Sequence, residues 1–188
     1  MTWIHNEITI EGPLSHIREL LGKAESEKTK FSLQNFIPCP AELLNVTTPP
    51  VDVSNWQNAA LFPWVISANN NKIPKTKEEF LRVIARFPQF SHLDRLNENM
   101  INYGFSSSYE WCTANWGTPF DLEVSQISKV RSRRTTHKFS VLTHLSAPNI
   151  ALQRLSSEYE SCLFSNRFTD ARSSIGTNFL VFANGIRR

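Results

Sequence analysis

Apolar residues change their spacing at both ends of this chain, and that switch limits the fold more than any other feature. Near the start, Trp3, Ile8 and Ile10 lie in a short β-prone run that Gly12-Pro13 ends. Leu14, Ile17, Leu20 and Leu21 then recur three and four residues apart beside Pro13, the spacing of an amphipathic helix. The succession returns near the end. THKFSVLTH reads as a strand, APNIALQRLSSEY as a helix with Ile150, Leu152 and Leu155 on its apolar side, and CLFSNRFTD and TNFLVFANG as closing strands around an ARSSIG turn. KFSLQNFIP reads as the second strand of the first half, stopped by Pro38 and Pro40. FDLEVSQISKVRS is expected to form a strand joined to THKFSVLTH through a basic bend. Two β-α-β halves of this kind predict an α+β fold, a ferredoxin-like antiparallel sheet with two helices on one face.

The middle of the chain has a different character. TTPPVDVSNWQNAALFPWVISANNN is rich in Pro and Asn yet holds Trp56, Phe62 and Trp64, so it reads as a long connection that is partly packed down. Ala41 to Asn45 suits one helical turn. KTKEEFLRVIARF has helical periodicity and a capping-box-like spacing from Thr76 to Glu79, and HLDRLNENMINYG suits another helix closed by Gly104. Ser107 and Glu110 stand at the same capping-box spacing, with Gly117 and Pro119 as end signals, which predicts a short helix over Tyr109 to Trp116. The expected organisation is a single domain, 1–188, with its ferredoxin-like core from 1–46 and 119–188 and a mostly helical insertion at 47–118.

With 188 residues the chain can bury a real core without a metal or disulfide, and no apolar run approaches a membrane span. The start lacks the pattern of a secretory signal, and three widely separated cysteines, Cys39, Cys112 and Cys162, fit reduced thiols. A cytoplasmic protein with no membrane partner is expected. His5, His16, His92, His137 and His144 show no paired ligand spacing with each other or with the cysteines, so neither metal nor cofactor is expected. No phosphate-binding glycine loop or nucleophile elbow occurs, and Cys112 lacks a histidine partner visible in the sequence; the chain reads as a non-enzyme.

Two stretches stand out as candidate binding residues. Within SSYEWCTANWGTPFD, helical spacing puts Tyr109, Cys112 and Trp116 on one face and Trp111 with Asn115 on another. Aromatic residues this dense either pack a core or form a shelf on which Trp111, Asn115 and Trp116 grip a ligand. KVRSRRTTHK has six basic or potentially basic residues in ten; it is either a solvated hairpin tip or a phosphate-contacting ribbon of Lys129, Arg131, Arg133 and Arg134. The strands carry no aromatic pair like that of RNA-recognition domains.

NEITIEGP, FIPCPAEL and YEWCTANWGTPFD together resemble the YubB-like family of plasmid and phage proteins. Trp111, Asn115, Trp116, Gly117 and Thr118 match its last motif residue by residue, with Pro119 where lysine is usual. The resemblance covers most of the chain and implies a ferredoxin-like domain in a mobile genetic element, in a family with no settled function. The function expected from it is a non-catalytic binding protein, an inhibitor or modulator of a host protein or defence complex in a bacterial cell. Nucleic-acid binding by the ribbon 129–138 is the alternative.

Overall fold

The computed structural model describes residues 3–44, 55–87, 93–105, 107–130, 135–170 and 176–187. The chain divides into two compact units: Met1–Cys39 with Tyr109–Arg188, and Pro40–Ser108. The second interrupts the first and runs over 40–108, beside the expected insertion at 47–118.

The first unit is a mixed α/β structure built on a curled, six-stranded antiparallel sheet. Its elements are β1 (Trp3–Gly12), α1 (Leu14–Ala24), α7 (Ser108–Trp116), β2 (Ser128–Val130), β3 (Thr135–His144), α8 (Asn149–Glu158), β4 (Leu163–Asp170), β5 (Thr177–Ala183) and β6 (Ile186–Arg187), with spatial order β2-β3-β1-β4-β5-β6. β3 and β4 both run antiparallel to β1, which lies between them, and α8 carries the chain over β1 from one to the other.

Alternation along β1 sets the two sides of the sheet. Ile4, Asn6, Ile8 and Ile10 are buried, and the register aligns Ile4, Asn6 and Ile8 with Thr143, Val141 and Phe139. On β4 the same side carries Asn166 beside Ile8 and Phe164 beside Ile10. α1 packs on β1 and α8 on β4 and β5, contributing Ile17, Leu20 and Ala24, and Ala151, Leu152 and Leu155. Because His5, Glu7, Lys138, Ser140 and Arg167 on the other side remain exposed, both helices cover the first side. The opposite side is open.

Two expected strands are corrected. KFSLQNFIP forms no strand: Phe36 N and Ile37 N both donate to Leu33 O, closing a turn, and Gln34 locks it by bonding both the N–H and the carbonyl of Cys39. Phe31, Ser32 and Leu33 are all buried, so the apolar alternation of the sequence marks a buried turn without sheet pairing. Of the described residues of FDLEVSQISKVRS only Ser128–Val130 join the sheet, because Val124 bonds the Thr29–Lys30 turn instead of β3.

The second unit holds α2 (Ala41–Leu44), α3 (Trp56–Ala59), α4 (Pro63–Ala68), α5 (Lys77–Ile84) and α6 (Leu93–Tyr103). Ala59, Ala60, Val65, Phe80, Val83 and Ile84 form its core, with Trp56 and Phe87 against it. The predicted cap of α5 is present: Thr76 Oγ accepts from Glu79 N at 3.1 Å. The Glu79 carboxylate accepts in return from Lys75 N at 2.9 Å and Asn69 Nδ2 at 3.0 Å, which holds its pKa below the usual range. The stretch read as a connection contains α3 and α4, where Pro63 opens a helix, a position at which its missing N–H costs nothing.

Candidate functional site

The aromatic stretch is a structural joint. Trp116 is buried and its Nε1 donates to Ile37 O at 2.9 Å, so the indole seats the turn that replaces the expected second strand. Trp111 is half-buried and meets Trp116 edge-on at 5.9 Å. Asn115 Nδ2 donates to Trp111 O at 2.9 Å, one turn back in its own helix. Gly117 has φ +87°, and a Cβ there would lie 2.8 Å from Ala147 O; only glycine fits this approach to the start of α8. Asp121 accepts from Ser32 Oγ, from Leu33 N at 2.6 Å and from Leu122 N at 2.8 Å. The FIPCP and WCTANWGT stretches therefore meet in one packed corner, and of Trp111, Asn115 and Trp116 only Trp116 is buried, the other two being half-buried.

Asn6, from the NEITIEG stretch, lies wholly buried in the sheet. Its Nδ2 donates to Ile4 O at 3.0 Å and Thr143 Oγ at 2.9 Å, and its Oδ1 accepts from Asn166 Nδ2 at 3.0 Å, which also reaches Asn149 Oδ1 at 3.1 Å. A buried amide is costly unless paired, so this network fixes the register of β3, β1 and β4.

The thiols are set against nucleophilic chemistry. Burial pushes the pKa of Cys112 far above the usual range, with Cys39 adding to it, and burial likewise raises Cys39 and Cys162. Each is held as the thiol. Among the described residues no group of three or more His, Cys, Asp or Glu could hold a metal ion, and no helix is long and apolar enough to cross a membrane.

Of the basic ribbon, Lys129 is exposed on β2 opposite His137, whose pKa burial lowers, with Lys129 assisting. Arg131, Arg133 and Arg134 lie outside the described residues. Lys138, at the far end of the ribbon, stands on the open side of the sheet.

That open side is the site that the sequence reading missed. Across the strands the register aligns Ser140, Glu7, Arg167 and Phe179 in one row, with Lys138, Thr9, Ser165 and Val181 in the next. Glu7, Glu11, Lys138, Ser140, Arg167 and Phe179 line a groove of about 700 Å³ over this surface. Among the described residues the ion pairs are Lys23–Glu158 and Lys30–Glu25, both elsewhere, so the four groove charges are unpaired there. Phe179 is 60% exposed and Leu142, near the other end of the open side, 58%. The signal lay in the alternation of β1 and β3, whose outward residues can be read off the sequence. Assembling them into a surface needed the cross-strand register.

The chain is thus a mixed α/β protein whose antiparallel sheet keeps one side bare, with a groove of balanced charge and isolated large apolar residues. No protein-family model matches it, and neither does any curated protein. Its fold is similar to the crystal structure of protein api92 from Yersinia pseudotuberculosis, of family DUF1281, at TM-score 0.48 and 10% identity over 98% of this chain and 95% of that one.

Proposed function

We propose that this is a non-catalytic binding protein with a ferredoxin-like core, and that it recognises another protein through the open side of its sheet. The β2-β3-β1-β4 order and the α8 crossover over β1 support the ferredoxin-like reading, with β5 and β6 added at the β4 edge. The observation that carries the functional reading is the groove itself. Exposed Phe179 and an unpaired Arg167 are the residue types enriched at protein interfaces. Glu7 and Glu11 offset Lys138 and Arg167 on the groove walls, which disfavours a polyanion and suits a protein surface of mixed charge. The resemblance to the YubB-like family adds a mobile-element setting and, with it, a host protein or defence complex as partner.

Nucleic-acid binding by Lys129, Arg131, Arg133 and Arg134 is the second reading, and it rests on the density of basic residues between Lys129 and Lys138.

Affinity capture from bacterial lysate, with and without nuclease, separates the two. The expected result is a protein that wild type retains after nuclease treatment and that Arg167→Glu/Phe179→Ser loses. Capture of nucleic acid alone, abolished by Arg131→Ala/Arg133→Ala/Arg134→Ala and by moderate salt, would replace the first reading with the second.

A further inference from the structure

Among the described residues the register leaves half of β3 with a neighbour on one side only. β3 is ten residues long and pairs with β1 throughout, whereas β2 pairs only with Thr136, His137 and Lys138. The chain that would continue along the same edge, Leu122 to Ile127, forms no ladder with β3. It is drawn away because Lys30 N donates to Val124 O at 2.8 Å and Val124 N donates to Thr29 Oγ at 2.8 Å. Among the described residues the outer edge from Phe139 to His144 therefore faces no strand, and a cleft of about 410 Å³ opens beside it.

The lining of this cleft has a definite chemistry. Trp3, Phe120 and Leu142 are 53%, 56% and 58% exposed, and His144 lies between the two aromatics, 5.4 Å from Trp3 and 5.9 Å from Phe120 between ring centroids. Asp121 and Glu123 stand on the opposing wall, Glu123 exposed, and among the described residues no lysine or arginine lines the cleft. An unpaired strand edge is satisfied by another strand, whose backbone supplies the missing ladder. Aromatic faces beside carboxylates favour a cation.

We propose that the Phe139–His144 edge of β3 receives an extended, basic segment of a partner protein as an added strand, with a lysine or arginine side chain in the cleft lined by Trp3, Phe120 and Glu123. The proposal rests on the protein-binding reading and adds to its groove a strand edge and a partner chemistry.

Selection of a random twelve-residue peptide library displayed on phage against the full chain tests it, followed by synthesis of the most enriched peptide. Enriched sequences should alternate lysine or arginine with apolar residues. At saturation the synthetic peptide should slow amide exchange within 139–144 at least tenfold, and methylating its alternate amide nitrogens should weaken binding at least tenfold. Glu123→Lys should weaken it about tenfold and Glu123→Gln by a few-fold at most, as expected for one exposed charge. Glu123 is exposed, so both variants should melt with wild type. No enrichment, enrichment of acidic peptides, or binding without slowed exchange in 139–144 would overturn the proposal. Peptides that bind, lose affinity with Arg167→Glu and keep it with Glu123→Lys would overturn the β3 edge while leaving the protein-binding reading in place.

Discussion

The helix α7 and the open side of the sheet invert the usual sign of an aromatic cluster. In α7 the aromatics are dense, and the structure consumes them: Trp116 is buried under the turn at Ile37, and Asn115 bonds the carbonyl of Trp111. On the open side large apolar residues are sparse, two aromatics and a leucine on three strands, yet Trp3, Leu142 and Phe179 are each more than half exposed. Density along the chain measures how much apolar area a segment must bury. Exposure depends on whether anything else in the fold covers that segment, and here both covering helices lie on the other side of the sheet.

The largest effect that could break this contrast is on Trp116. Trp116→Ala should cost about 3–5 kcal/mol, the range for deleting a buried aromatic side chain. Its indole also supplies a hydrogen bond, so Trp116→Phe should still lose about 1 kcal/mol with most of the volume kept. Urea denaturation measures both. A loss below about 1 kcal/mol for the alanine variant would mean that the corner is loosely packed and that the binding reading of α7 returns.

Gly117→Ala comes next. The left-handed backbone alone should cost about 1–2 kcal/mol, and the 2.8 Å approach to Ala147 O adds to it because that oxygen belongs to the main chain and cannot swing aside. A neutral substitution would show that α8 can shift relative to α7. Trp111→Ala should cost less than Trp116→Ala, about 1–2 kcal/mol, since its ring is half covered. Equal losses at the two tryptophans would make the whole stretch core.

How much of this was legible depends on whether an interaction is local. β1, α1, β3, α8, β4 and β5 follow from periodicity because each buries one side against the same layer, and the Thr76 cap follows because its partner is three residues away. The turn at Phe31 to Ile37 has a strand's alternation of apolar residues in sequence but neither its burial pattern, since Ser32 is buried with Phe31 and Leu33, nor its hydrogen-bond partners. What decides it is Asp121, 88 positions away, which accepts from Leu33 N. The joint was half legible: helical spacing separated Trp116 from Trp111 correctly, whereas the acceptor of the indole N–H could not be read from it. The groove was least legible, because Glu7, Arg167 and Phe179 become neighbours only through two registers.

The smallest expected effects fall on the open side, and they test the contrast from its other end. Leu142 and Phe179 already contact water over more than half their surface, so truncation forfeits little burial and leaves no enclosed cavity. Leu142→Ala and Phe179→Ala should each shift stability by less than about 1 kcal/mol, within the usual range for surface changes plus a partial burial contribution. Denaturation at two protein concentrations tenfold apart makes the measurement specific. A concentration-independent midpoint with small losses keeps the side bare in the free protein. A loss above about 2 kcal/mol that grows with protein concentration would show that a second copy of the chain covers this surface, since only association makes stability depend on concentration. The open side would then be an interface between copies, and the groove's charges would face their own counterparts instead of a foreign partner.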